Sequence, residues 1–263
     1  MRWIVSQATE PLLGPKRQRE LLNYIRAYGT GSVTEMARLL GVSTSTVRRD
    51  LNDLQDRGLI ERVHGGAAPL TDDVEPLRPL REVAFAAEKR RIGEAAAAHV
   101  SDNSTILVTG GTTTEAMLPF LGTVRGLTVV TNSLMVVNRL AQYSDIEIIV
   151  LGGLLRRQEM SLLGHLTIAG LGEFGIDQVY SGAFGIDPEI GVTGTNLSET
   201  QTDRSLASSA PQLIMLADHS KLAQRGPARL VPITAIDTLI VDDGADGETV
   251  ERFRAAGVTV ETC

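Results

Sequence analysis

Residues 43–50, Ser-Thr-Ser-Thr-Val-Arg-Arg-Asp, bring short hydroxyls and two guanidinium groups together in one short stretch. On a helix at 100° per residue, Val47, Leu51 and Leu54 fall at i, i+4 and i+7 and form a stripe that can bury. Ser45, Arg49 and Asn52 then point away from that stripe, with Arg48 on the flank. The hydroxyls of Ser43, Thr44, Ser45 and Thr46 suit phosphate oxygens at the helix start, and Arg48 or Arg49 suits a bidentate contact to guanine. This is the chemistry of reading a double-stranded DNA operator.

A second group of residues suits a small anion. Thr109-Gly110-Gly111-Thr112-Thr113-Thr114, Thr131-Asn132-Ser133 and Gly152-Gly153 each follow an apolar run, with Arg156 and Arg157 just beyond the last. Gly185-Ile186-Asp187 and Ala217-Asp218-His219-Ser220-Lys221 do the same further on. Glycine lets a backbone approach a ligand closely, and hydroxyls with N–H groups at a helix start attract phosphate. Asp187, Asp218 and Lys221 can hold sugar hydroxyls and a phosphate, although the same residue types also cap loops or carry solvated charge.

The elements that must hold these residues follow from periodicity and punctuation. Lys16–Ala27 reads as a helix, with Leu21, Leu22 and Ile25 on one side. Ser32 and Glu35 form a capping-box pattern for a second helix, Val33–Leu40, and Gly41 suits its left-handed end. Ser43 caps the third helix, which runs to about Arg57. Two short extended segments around His64-Gly65-Gly66 predict a β wing, so Arg62 and His64 would lie where a wing meets the DNA backbone. The expected organisation is a winged helix-turn-helix at 14–68, a proline-containing linker at 69–87 and an α/β domain at 88–263. Within the last, apolar runs at 106–108, 127–130, 146–151, 179–184, 213–217 and 238–241 alternate with helical stretches. That alternation predicts a largely parallel sheet flanked by helices. Thr112 and Glu115 also form a capping-box pattern after the first of these strands.

Charge divides the chain in the same place. Overall the net charge is −7, but residues 1–66 carry ten Lys/Arg against seven Asp/Glu, leaving 15 against 25 in the remainder. A small basic module joined to a larger acidic one suits DNA at one end and another ligand at the other. The one cysteine, Cys263, excludes an intrachain disulfide and a cysteine metal cluster. No run of ~18 apolar residues predicts a membrane span and no apolar stretch predicts a signal peptide, so the expectation is a cytoplasmic protein with no membrane partner, metal or cofactor.

Taken together, V-S-T-S-T-V-R-R-D-L-N-D-L at 42–54, R-V-H-G-G-A at 62–67, E-K at 88–89 and G-G-T-T-T at 110–114 resemble the DeoR family of bacterial transcriptional regulators. V-T-N-S at 130–133, L-G-G at 151–153, F-G-I-D at 184–187, G-V-T at 191–193 and A-D-H-S-K at 217–221 extend that resemblance over nearly the whole chain. It implies an N-terminal winged helix-turn-helix and a sensor related in fold to ribose-5-phosphate isomerase. It also implies repression of sugar-metabolism genes in response to a phosphorylated sugar. The implied effector residues are Gly111, Thr112, Thr113, Thr131, Asn132, Gly152 and Gly153, with Asp187 and Lys221 beside them. Two positions depart from the family pattern. Thr109 stands where an aspartate is common, and the helix after G-I-D has Glu199, Gln201 and Arg204 but no lysine.

Paired half-sites imply a homo-oligomer, dimer or tetramer. A competing reading is a sugar-phosphate isomerase with an appended DNA-binding domain, using Asp187 as base and Lys221 as electrophile. The acid and lysine cluster such chemistry needs is not evident around residues 185–195. A nucleoid protein without an effector is the third reading; it leaves the Gly/Thr-rich strand ends without a purpose.

Overall fold

In the computed structural model, residues 14–28, 31–57, 59–63, 65–69, 78–197 and 199–263 are described. The chain divides into two compact units, Met1–Arg81 and Glu82–Cys263.

The first unit contains α1 (Gly14–Tyr28), β1 (Gly31–Ser32), α2 (Val33–Leu40), α3 (Thr44–Asp56), β2 (Ile60–Val63) and β3 (Gly66–Pro69). Leu21 and Ile25 of α1, Val33 and Met36 of α2, and Val47, Leu51 and Leu54 of α3 share one buried core with Ile60. The α2 start has the expected cap, Ser32 Oγ accepting from the Glu35 N–H at 3.2 Å. Gly41 ends that helix at φ +64°, a backbone angle that a side chain would strain. The three strands are ordered β1-β3-β2 and antiparallel. Val63 pairs with Gly66, and Gly65 between them has φ +81°; His64 lies outside the described residues. The stretch read as a linker is outside them from 70 to 77, and then forms α4 (Arg78–Val83).

The second unit runs through α5 (Ala86–Ala98), β4 (Thr105–Val108), a 3₁₀ helix (Thr114–Thr123), β5 (Thr128–Thr131), α6 (Leu134–Leu140) and β6 (Glu147–Val150). A hairpin of β7 (Leu154–Arg156) and β8 (Ser161–Leu163) precedes α7 (His165–Leu171). Then come β9 (Gln178–Ser181), β10 (Gly185–Asp187), β11 (Gly191–Gly194), α8 (Thr200–Ala207) and β12 (Gln212–Ala217). The chain closes with β13 (Ala228–Val231), β14 (Thr238–Val241), α9 (Gly247–Ala255) and β15 (Thr259–Thr262). The main sheet has seven strands in the order β15-β14-β12-β9-β4-β5-β6, and every neighbouring pair is parallel. Along β4, Ile106 and Val108 face one apolar core and Leu107 the other, as a sheet covered on both faces requires.

Two expectations need correction. The run at 179–184 is not one strand: β9 stops at Ser181, and Gly185–Asp187 is a strand of its own in an antiparallel sheet β10-β11-β13. Gly185 permits this because a Cβ there would sit 2.2 Å from the Gln224 carbonyl oxygen. Nor do Thr112 and Glu115 form a capping box. Thr114 Oγ1 instead donates to the Thr109 and Gly111 carbonyls, 2.9 Å each, and the helix that follows is 3₁₀. Pro119 lies inside it and removes an N–H that an α-helix would use.

Candidate nucleic-acid interface and ligand site

Helix α3 is held by its inner face and its start. Ser43 Oγ accepts from the Thr46 N–H at 3.1 Å and lies 2.8 Å from both Ser45 Oγ and Thr46 Oγ1. Those hydroxyls therefore form a small network at the helix start rather than three separate groups. Asp50, 3% exposed, turns inward and receives both Nε and Nη2 of Arg17, at 2.5 and 3.1 Å. Gln18 adds hydrogen bonds to Asp53 and Arg57, so a polar seam ties α1 to α3 beside the apolar core. Sequence reading assigned no role to Asp50, although its position one turn from Val47 and Leu54 marks it as inward-facing.

The outer face is uncommitted. Thr44, Ser45, Arg48, Arg49 and Asn52 are exposed, and Arg48, Arg49 and Asn52 make no side-chain hydrogen bond or ion pair to the described residues. Arg62 on the wing strand β2 is half-buried, and its Nη1 has no partner among the described residues. Two cationic side chains on a capped, rigid helix are suited to a polyanion, because they need not break an existing contact to reach it.

In the second unit the strand order reverses between β4 and β9: the chain goes from β4 outward through β5 to β6, then returns to the far side of β4. Such a switch point is where open α/β sheets open a crevice beyond the carboxyl ends of their strands. Here it is flanked by the 109–113 loop and by 182–184, and joined by Thr109 Oγ1 to Ser181 Oγ at 3.2 Å. Gly110 packs so closely that a Cβ would lie 3.2 Å from Ser133 Oγ. The N–H groups of Gly111, Thr112 and Thr113 donate to none of the described residues, and neither does the hydroxyl of Thr112 or Thr113. This loop therefore keeps both backbone and side-chain donors uncommitted to the described residues at the switch point.

The neighbouring strand ends are mostly engaged in holding themselves in place. Thr131 Oγ1 donates to the Val108 carbonyl at 2.7 Å and accepts from the Ser133 N–H at 3.0 Å. Asn132, 3% exposed, donates Nδ2 to the Leu162 carbonyl at 3.0 Å, while its Oδ1 is buried with no partner among the described residues. Gly152 is exposed with open space at its Cβ position, and its carbonyl accepts from Thr167 Oγ1 at 2.7 Å. Gly153, at φ +151°, backs onto Leu163 O and Thr167 Oγ1, each 2.5 Å from where a Cβ would be. Arg156 pairs with Glu199 at 2.7 Å.

Asp187 and Lys221 are placed differently from that cluster. One Asp187 oxygen accepts from the Glu189 and Ile190 N–H groups at 2.9 Å each, and the other receives Arg225 Nε at 2.6 Å. Burial pushes this carboxyl up, and the Arg225 guanidinium and the two backbone donors more than offset it, holding it below the usual carboxylate range. A carboxylate so engaged is a poor general base. Lys221 ends the 218–221 turn with its ammonium 5.7 Å from the centre of the Phe184 ring. His219 within that turn and Lys89 beside it were given no role of their own by sequence reading. His219 Nδ1 lies 2.7 Å from Asp242 Oδ2, and the buried Lys89 ammonium lies 3.8 Å from Asp218 Oδ2. The E-K pair at 88–89 was the only signal for the latter.

Among the described residues no helix is long and apolar enough to cross a membrane. No group of three His, Cys, Asp or Glu there could hold a metal.

Residues 17–72 match the family model described as the DeoR-like helix-turn-helix domain, and residues 84–243 match the DeoR C terminal sensor domain. The regulator GlpR of Haloferax volcanii is 32% identical over 95% of this chain and 98% of its own. The glycerol-3-phosphate regulon repressor of Escherichia coli K12 is 30% identical, over 94% and 98%. A putative aga operon transcriptional repressor of Escherichia coli O157:H7 is 30% identical, over 93% and 92%. Among solved structures, ribose 5-phosphate isomerase A of Methanocaldococcus jannaschii superposes over 53% of this chain and 55% of its own, at 16% identity and a TM-score of 0.40.

Proposed function

The chain belongs to the DeoR family of DNA-binding transcriptional regulators, and from that premise we propose that it represses carbohydrate-metabolism genes under the control of a phosphorylated sugar. Helix α3 enters the major groove of an operator. Ser43, Thr44, Ser45 and Thr46 fix it on phosphates, Arg48 or Arg49 reads a guanine, and Asn52, Arg62 and His64 contact the backbone or neighbouring bases. The protein works in the cytoplasm as an even-numbered homo-oligomer, because two half-sites one helical turn apart need two reading helices.

The effector site is the crevice between the ends of β4 and β9. Its phosphate lies on the Gly111–Thr113 N–H groups and the hydroxyls of Thr112 and Thr113. A sugar hydroxyl donates to Asn132 Oδ1, and Gly152 lets the backbone approach the ring. Thr131 and Gly153 hold the loop shapes, while Asp187 orders its own turn and Lys221 adds positive charge at the rim. The observation that carries this reading is the Asn132 carboxamide: its donor is anchored to the Leu162 carbonyl, which leaves a fixed, buried acceptor with no partner among the described residues.

Effector control requires unequal affinity for two arrangements of the protein; a full switch from 1:99 to 99:1 takes about 5.5 kcal/mol of differential binding. The test is fluorescence anisotropy of the full chain on its own upstream intergenic DNA and on a scrambled duplex, with and without a panel of phosphosugars. Selective binding altered by one of them is the expected result. Equal affinity for both duplexes, unchanged by the whole panel, would overturn the proposal.

A further inference from the structure

Helix α5 begins against the usual rules of helix starts. Its N-cap is Phe85, in the left-handed region at φ 54°, ψ 36°, with no side-chain cap. That conformation costs a non-glycine residue about 1 kcal/mol or more unless its surroundings hold it there. Four residues on stands Lys89, 5% exposed, a cation near the positive end of the helix dipole. A buried ammonium at that position destabilises the helix itself, so its contacts with other elements must explain it.

Both anomalies point to the same turn. The Lys89 ammonium donates to the Ala84 carbonyl at 2.8 Å and faces the buried Asp218 carboxylate at 3.8 Å. The Phe85 ring packs edge-on against His219, centroids 4.8 Å apart at 75°. His219 is fixed in turn, with its N–H and its Nδ1 each 2.7 Å from an Asp242 oxygen. Asp218 also accepts from the backbone and hydroxyl of Ser220, which shapes the 218–221 turn at the end of β12. Two independent side-chain contacts, one ionic and one aromatic, therefore tie that strand end to residues 84 and 85. Those residues follow closely on Glu82, where the sensor unit begins, so the chain running on from the DNA-reading unit passes through them near its entry to the sensor.

We propose that Lys89 is a positioning residue that locks residues 84–85 to the 218–221 turn, and that this lock transmits effector occupancy to the chain segment leading from the DNA-reading unit. The transmission part rests on the effector reading above. The turn carries Lys221, whose ammonium lies 5.7 Å from the ring of Phe184 in the 182–184 segment that flanks the crevice, and its backbone is closed by the Lys221 N–H to Asp218 carbonyl bond at 3.0 Å. A ligand that draws the turn toward itself pulls on Asp218 and His219 together. The bistable element is the seating of residues 84–85, in which release of Phe85 from its strained angle favours the open state.

Hydrogen exchange of the full chain tests the lock without any ligand. Lys89→Met is expected to speed exchange about tenfold both at 84–89 and at 218–221, while Lys89→Arg, which keeps the cation, stays near wild type. His219→Ala, which removes the aromatic contact together with the imidazole contact to Asp242 but leaves the Lys89–Asp218 pair, is expected to speed exchange at 84–89 as well. Acceleration confined in both variants to the segment carrying the substitution overturns the proposal. Operator anisotropy with glycerol 3-phosphate and hexose phosphates as probes tests transmission. Lys89→Met should keep the probe-free operator affinity within about threefold of wild type and lose most of the probe-induced shift, which Lys89→Arg restores. An undiminished shift in a folded Lys89→Met protein refutes transmission. A wild type that responds to no probe refutes the effector reading instead, and the exchange result still decides the lock.

Discussion

The outer face of α3 and the crevice at the end of β4 both suit phosphate, yet they are built in opposite ways. On α3 the long cationic side chains point outward with no partner among the described residues, and the structural work is done underneath by Val47, Leu51, Leu54 and Asp50. In the crevice the polar side chains are largely engaged in shaping the loops. Thr131, Thr114 and the Nδ2 of Asn132 all bond to main chain, which would leave the proposed ligand backbone N–H groups, two threonine hydroxyls and one carboxamide oxygen. A long polyanion tolerates flexible partners because many weak contacts add up. A small phosphosugar is told from its neighbours only by fixed groups, so rigidity has to come first.

The largest effect that can break this contrast is on DNA reading. Arg49→Ala should weaken operator binding by ten- to a hundredfold, corresponding to about 1–3 kcal/mol for a bidentate base contact, with no change in melting temperature. Unchanged operator affinity would remove Arg49 from the reading surface. Asp50→Ala should abolish binding by the other route. Losing the Arg17 partner from a largely buried pair costs about 3 kcal/mol, so the first unit should melt early while the second does not. Calorimetry of the two variants side by side separates reading from holding.

Within the crevice the two adjacent glycines provide a finer test. Gly153→Ala forces a Cβ to 2.5 Å from two oxygens at a positive φ and should destabilise the sensor by about 2 kcal/mol. Gly152→Ala meets open space and should leave stability within about 0.5 kcal/mol, yet weaken phosphosugar binding where the ring approaches the backbone. If both variants were equally stable, the loop would be far softer than this packing implies. The smallest effect concerns acid. Asp187 and Asp242 are each raised by burial and lowered further by their hydrogen bonds, to Arg225 and to His219 respectively, for a net fall below the ordinary carboxylate value. Folded-state values below the unfolded ones give stability that is complete at neutral pH and is lost as pH drops below about 4. Replacing Asp242 with asparagine should flatten that part of the sensor's melting profile.

Much of the reading unit was legible because helices declare their faces. The Val47-Leu51-Leu54 spacing, the Ser43 cap and Gly41 are local signals, and each corresponds to a local cause in the structure. The six strands of the main sheet that carry apolar runs were legible for a similar reason. β15 was not: Thr-Val-Glu-Thr is short, polar at three of its four positions and pairs with β14 at the sheet edge. The antiparallel β10-β11-β13 sheet was hidden because β10 and β11 are short and contain glycine, and β11 pairs with β13 far along the chain. In the crevice the residue types were visible, but their division of labour was not. Whether Thr131 faces a ligand or the Val108 carbonyl, and whether Asp187 is available or occupied by Arg225, depends on partners tens of residues away. Lys89 shows the limit most clearly, since nothing in its helical neighbourhood announces an aspartate at 218.

The most direct test of the account is operator affinity measured against phosphosugar concentration for wild type and Thr112→Val in parallel. The Thr112 hydroxyl bonds to none of the described residues, so its loss should leave the fold and the sugar-free operator affinity unchanged. The account predicts that the concentration needed to shift operator binding rises by about tenfold, in keeping with one lost hydrogen bond to a charged group. Superimposable curves for the two proteins would contradict it, because a ligand that controls DNA reading would then be bound somewhere other than the end of β4.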